Sequence, residues 1–270
     1  MDLFKTRDHV TDFDGYVADY AAVSAKTRAT LKNRLAVPYG PRPAEVMDLF
    51  FPPVMSKACP IHLFIHGGYW RMFSKDDFSF IAENVTACGA IAAIMDYDLM
   101  PQVRMEVIVA EVRRAFSWLH DKAETFGGDP TRMTVSGHSA GAQLATFTFS
   151  GAQETPLPKS ALLLSGVYDL QPLQHSFLEP LIAITDEEVK KFSPLHLSPA
   201  KGPEVFIAYG DEETQPFAQQ AQDYCAHLKE RGIKSSVTAL ASTNHMSAVR
   251  DLGRSQSMIG QMLQDAIKLS

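Results

Sequence analysis

Short apolar runs alternate with helix-like stretches along most of this chain, and that alternation limits the folds open to it. Strand candidates fall at residues 45–51, 60–66, 90–95, 133–135, 160–165, 204–209 and 235–240. Ala90-Ile91-Ala92-Ala93-Ile94-Met95 is apolar without alternation, the mark of a strand covered on both faces. Helical candidates lie between them. One occupies 78–87, and another opens at Pro101 with Ile108, Val112, Ala115, Phe116 and Leu119 at helical spacing. Strands separated by helices predict an α/β fold: a mainly parallel central sheet flanked by helices, in a single domain over residues 1–270. Residues 1–43 read as an N-terminal helical extension. Residues 171–201, long and rich in proline, read as a lid or cap insertion.

Composition narrows the class. With 270 residues, 46% apolar and 21% charged, the chain can bury one large core and is not disordered. A net charge of −6 without a basic cluster argues against a nucleic-acid partner. The mixed run Glu187-Glu188-Val189-Lys190-Lys191 reads as a solvated helix face. Cys59, Cys88 and Cys225 are far apart and form no C-x-x-C pair, so neither a zinc site nor a disulfide framework is expected. No apolar run approaches a membrane span and the first residues lack a signal-peptide core, so a cytoplasmic location without membrane attachment is the expectation.

The chemistry gathers at strand ends. Gly137-His138-Ser139-Ala140-Gly141 follows the apolar run Met133-Thr134-Val135 and opens a helix-like stretch. In that strand–turn–helix setting G-x-S-x-G presents a nucleophilic serine on a sharp, strained turn, with the Ala140 N–H facing the same spot. Ser139 then needs a base, and the histidines downstream are His175, His196, His227 and His245. His227 sits in a helical stretch and reads as a surface residue; His175 and His196 lie in the 171–201 segment. His245 follows the last strand, where a loop can carry an imidazole over the serine, and is the expected base. The orienting carboxylate is left open among Asp169, Asp211, Glu212 and Glu213. His66-Gly67-Gly68-Tyr69-Trp70 closes an earlier strand and is the expected source of oxyanion donors, with His66 and His138 bracing rather than transferring protons. Tyr69 and Trp70 are candidate substrate-binding residues for a planar or aromatic group, with simple loop packing as the other reading.

These stretches, with Tyr97-Asp98-Leu99-Met100-Pro101 and Phe126-Gly127-Gly128-Asp129-Pro130, resemble the kynurenine formamidase (arylformamidase) branch of the α/β-hydrolase superfamily, near the hormone-sensitive-lipase-like esterases. Trp70 favours the formamidase branch, where the loop reads His-Gly-Gly-x-Trp and not His-Gly-Gly-Gly. The resemblance implies Glu213 as the acid, from Gly210-Asp211-Glu212-Glu213-Thr214-Gln215-Pro216-Phe217. It also implies oxyanion donors at Gly68, Tyr69 and Ala140. The chain departs from many relatives in reading Ala142-Gln143 after the elbow where they have Gly-His.

The activity implied is that of a metal-independent, cofactor-free serine hydrolase. Its substrate is an N-formyl arylamide or, alternatively, a short-acyl or aryl ester. A non-catalytic ligand-binding relative would lack a triad member, and none is lacking. No H-x-x-x-D-x-D-like cluster points to a metal. The partner expected is a small-molecule ester or amide with room for an aromatic portion, and a homodimer is admitted.

Overall fold

The computed structural model describes residues 2–151 and 156–270. One sheet runs in the order β1-β2-β4-β3-β5-β6-β7-β8. Its strands are β1 (Asn33–Pro38), β2 (Val46–Phe50), β3 (Cys59–Ile65), β4 (Ile91–Met95), β5 (Gly128–His138), β6 (Ser160–Leu164), β7 (Glu204–Gly210) and β8 (Ser235–Leu240). All pairs from β4 across to β8 are parallel, while β2 lies antiparallel to both β1 and β4. The helices are α1 (Phe13–Thr30), α2 (Lys75–Phe78), α3 (Ile81–Ala87), α4 (Met105–Lys122), α5 (Ala140–Ala145), α6 (Glu179–Ile182), α7 (Asp186–Phe192), α8 (Gln215–Glu230), α9 (His245–Leu252) and α10 (Met258–Lys268).

The period of the strands explains the layering. Along β3, Ile61, Leu63 and Ile65 enter the core shared with α4 and α8. Phe64 points the other way, into the core shared with α1, α3, α9 and α10. His62 shares that second face and is fully buried. Its Nδ1 lies 2.8 Å from Thr134 Oγ1 and its Nε2 2.6 Å from Ser136 Oγ, and burial lowers its pKa to about 3. A neutral, fully bonded imidazole is how a histidine is tolerated inside a sheet.

Three local expectations are corrected. Residues 33–38, read as part of a helical extension, form β1, an edge strand whose half-exposed side chains carry little periodicity; its pairing with β2 makes it a strand. Helix α4 opens at Met105 and not at Pro101, because residues 99–103 first make a turn in which the Val103 N–H donates to the Leu99 carbonyl. The 187–191 run is not uniformly solvated. Glu187 and Lys191 pair at the surface at 2.7 Å, but Glu188 turns inward to Arg104 and is 7% exposed. Within residues 171–201 the backbone makes α6, α7 and two short 3-10 turns.

Candidate active site

Strands β3, β5, β6, β7 and β8 all end on one side of the sheet, and each is followed there by a residue of interest. Ser139 makes the turn between β5 and α5 with φ 55° and ψ −120°, a conformation costly for any residue with a Cβ. It is held by its own N–H, which donates to the Leu164 carbonyl at 2.8 Å. The two elbow glycines are required by close backbone approach. A Cβ on Gly137 would stand 2.1 Å from the Gly141 carbonyl oxygen, and one on Gly141 would stand 2.1 Å from that of Ile65.

His245 is the first residue of α9. Asn244 caps that helix, its side chain accepting from the N–H groups of Met246 (3.0 Å) and Ser247 (2.9 Å), which sets where the imidazole begins. The ring is packed by Phe217 and His138, each with centroids 4.6 Å away. Its Nδ1 lies 2.8 Å from Glu213 Oε2. The Glu213 side chain has no exposed surface. Its Oε1 accepts from the Ser165 hydroxyl at 2.5 Å and from the Gly210 N–H at 2.7 Å. The other carboxylates left open by sequence are engaged elsewhere: Asp211 is exposed and accepts from the Thr243 N–H, and Asp169 accepts from the Gln171 N–H. Glu212 is exposed.

Of the other downstream histidines, His175 and His196 are exposed. His227, expected at the surface, is instead 8% exposed, with Nε2 2.9 Å from the Leu197 carbonyl oxygen. Helix α8 turns that side chain toward the segment before β7. His138 is buried, with Nε2 3.0 Å from the His245 carbonyl oxygen; burial and then the neighbouring His245 hold its pKa well below the usual histidine range.

The loop after β3 carries three successive left-handed residues, Gly68 (φ 110°), Tyr69 (φ 53°) and Trp70 (φ 59°). Among the described residues, the N–H groups of Gly68 and Tyr69 take no part in a protein hydrogen bond. The Ala140 N–H, first in α5, is one of the donors a helix start leaves over. His66 braces this loop. Its Nδ1 lies 2.8 Å from the Gly67 carbonyl oxygen, its ring stacks on Tyr97 at 4.3 Å, and burial lowers its pKa to about 4.

Ser139, His245, Gly67, Gly68 and Tyr69 meet around one cavity of about 30 Å³, continued by the apolar rings of Phe13 and Phe73. Trp70 is not brought there. It is 1% exposed and points into the core, where its indole N–H donates to Gln143 Oε1 at 3.0 Å. The expectation that both aromatics line a substrate pocket is therefore corrected for Trp70, whose ring packs the loop. Ser165, Gln143 and Phe217 are given no role by the sequence. Ser165 is legible as a polar residue closing an apolar strand, and Gln143 and Phe217 only as members of the stretches that carry the resemblance. A larger cavity of about 210 Å³ between α1, α3 and α9 contains none of these groups. Among the described residues no group of three or more His, Cys, Asp or Glu side chains is arranged to hold a metal ion. No helix among them is long and apolar enough to cross a membrane.

A hydroxyl on a strained turn, an imidazole bonded through its far nitrogen to a buried carboxylate, and backbone donors around one small cavity are the parts needed for acyl transfer. Comparison with known proteins places this geometry in context. Residues 62–248 match a family model described as alpha/beta hydrolase fold. The kynurenine formamidase of Danio rerio is 28% identical over 92% of this chain and 86% of its own length. The esterase LipQ of Mycobacterium tuberculosis is 23% identical over 85% of this chain and 60% of its own. A solved structure from Silicibacter sp. tm1040, provisionally assigned as a thioesterase, superposes with TM-score 0.83 at 22% identity, covering 98% of this chain and 97% of its own.

Proposed function

We propose that this chain, which belongs to the alpha/beta-hydrolase family, is a metal-independent serine hydrolase whose best-supported substrate is an N-formyl arylamide. Similarity to a kynurenine formamidase and to an esterase supports hydrolysis of an amide or an ester. The observation that carries it is the 2.8 Å bond from His245 Nδ1 to the buried Glu213 carboxylate at the cavity holding Ser139. Similarity to kynurenine formamidases over most of the chain supports the formamide.

In this mechanism Nδ1–H is committed to Glu213, so Nε2 of His245 is the basic nitrogen. It takes the Ser139 proton as Oγ bonds to the formyl carbon, and the C=O electron pair moves onto oxygen. The N–H groups of Gly68, Tyr69 and Ala140 hold that oxyanion, each such donor contributing on the order of 3 kcal/mol. Glu213 remains ionised and stabilises the imidazolium. Collapse breaks the C–N bond, and the imidazolium gives its proton to the departing aryl amine. Water, deprotonated by the same Nε2, then releases formate and restores Ser139.

A carboxylesterase acting on short-acyl or aryl esters is the second reading, favoured by the similarity to the mycobacterial esterase. The two are separated by measuring kcat/KM for N-formylkynurenine and for p-nitrophenyl acetate on one preparation. We expect the formamide to be the better substrate, and failure to turn it over removes the formamidase reading. Ser139→Ala abolishes both activities; turnover near wild type would remove Ser139 from the mechanism.

A further inference from the structure

Both Ser139 and His245 are almost wholly buried, 3% and 5% exposed. The cavity between them, about 30 Å³, has room for only about two water molecules. No aryl group enters a space of that size, so a wall has to move. Most of the walls are strand ends, packed helices and the 67–73 loop, which Trp70 ties to Gln143 and Met100 in the core. One wall has no such anchor in the core: residues 2–12, whose backbone joins no sheet and forms a single 3-10 turn, Thr6–Asp8.

That segment is pinned at a few polar points. The Tyr69 hydroxyl donates to the Phe4 carbonyl at 2.6 Å, accepts from the Thr6 N–H at 3.1 Å and sits 2.8 Å from Thr6 Oγ1. The Thr214 hydroxyl donates to the Leu3 carbonyl at 2.6 Å, and Asp2 Oδ2 accepts from the Phe177 N–H at 2.5 Å. The segment also lies over both halves of the site. Thr6 lines the Ser139 cavity and, with Val10, a second small space beside Glu213 and His245. Phe4 packs edge-on against Phe217, the ring that supports His245.

We propose that residues 2–12 are a strap that must lift for an aryl-sized substrate to reach Ser139, and that the Tyr69 phenol is the latch and so a determinant of specificity. The proposal rests on the serine-hydrolase reading. Substrates needing the open form bind in proportion to its population, while substrates small enough for the closed form do not. Tyr69 thereby joins two features: its backbone belongs to the loop offered for the oxyanion, and its side chain holds the strap.

The test uses the full chain with 1-naphthyl acetate and methyl formate as large and small esters. Removing the phenol's bonds in Tyr69→Phe raises the open population by about tenfold. The expected result is a similar rise in the ratio of kcat/KM for naphthyl acetate over methyl formate. Asp2→Ala, which frees the strap without touching the loop, moves the ratio the same way. Native-state tryptic cleavage after Lys5 and Arg7 quickens in both variants. A ratio unchanged in both variants overturns the proposal, whether or not cleavage quickens, and an equal fall for both esters in Tyr69→Phe assigns the phenol to the oxyanion loop alone and also overturns it. Wild-type protein that hydrolyses neither ester nor a formamide would instead remove the hydrolase reading, a distinguishable failure.

Discussion

Two histidine–carboxylate pairs stand at strand ends in this molecule, and they are built differently. His245 and Glu213 are joined at 2.8 Å, with Ser165 and Gly210 donating to the other carboxylate oxygen. His66 and Asp96 approach only to 3.7 Å. The His66 Nδ1 proton is already given to the Gly67 carbonyl, which leaves Nε2 buried without a partner. Burial lowers His66 to about 4 and raises Asp96 to about 6, so each member is pushed toward its neutral form. Nearness alone does not make the two pairs equivalent. What distinguishes the Glu213 pair is that donors converge on the carboxylate and the ring's second nitrogen is left for the cavity, whereas His66 is tied to the Gly67 carbonyl at the start of the 67–73 loop.

The largest effect expected from this contrast is on the Glu213 side. Glu213→Gln should lower kcat by about 10³ to 10⁴, since the imidazole loses both its orientation and its counter-charge. Asp211→Asn should leave kcat within a few-fold, and steady-state kinetics showing the reverse order would exchange the two roles. The next effect tests how the loop near His66 is held. Gln143 is fully buried and joins the Trp70 indole to the Phe192 carbonyl at 3.0 and 2.8 Å. Gln143→Leu orphans both groups at about 1–3 kcal/mol each, read as a lowered Tm, with kcat falling as the three left-handed residues lose an anchor. Denaturation curves matching wild type would show that the loop needs no such anchor.

The smallest expected effect on turnover comes from Asp96→Asn. Because the folded-state pKa of Asp96 lies above its ordinary 3.8, its contribution is fully present below about pH 4 and is lost as pH rises through about 6. An asparagine cannot lose it. The Tm of the variant relative to wild type should therefore rise between pH 4 and pH 7 with kcat nearly unchanged. A large kcat loss at constant Tm would make His66–Asp96 a second functional pair.

Much of this architecture was legible in the residues. The apolar runs at β3, β4, β6 and β7 and the helical spacing in α4 come from burial on defined faces, which leaves a local pattern. Strand β1 was not legible, because an exposed edge strand has no such pattern and depends on its partner β2. His227 and Glu188 were misjudged for a related reason: each is polar by type but buried by the segment that folds over it. Trp70 and Tyr69 were read as one aromatic pair, yet the left-handed turn sends one ring into the core and the other to the strap.

By itself the sequence determined the elbow, the order of serine, carboxylate and histidine, and the strand ends on which they sit. Those follow from local chemistry, since glycines permit the close approach at Ser139 and periodic burial sets the layers. The resemblance implies Glu213, but residue pattern alone leaves the carboxylate open, and the tertiary structure supplies the physical reason: Glu213 differs from Asp211 by the direction of one turn and by donors from Ser165 and Gly210. Only the tertiary structure laid residues 2–12 across the cavity, since the bonds that hold them come from positions 69, 177 and 214, far away in the chain.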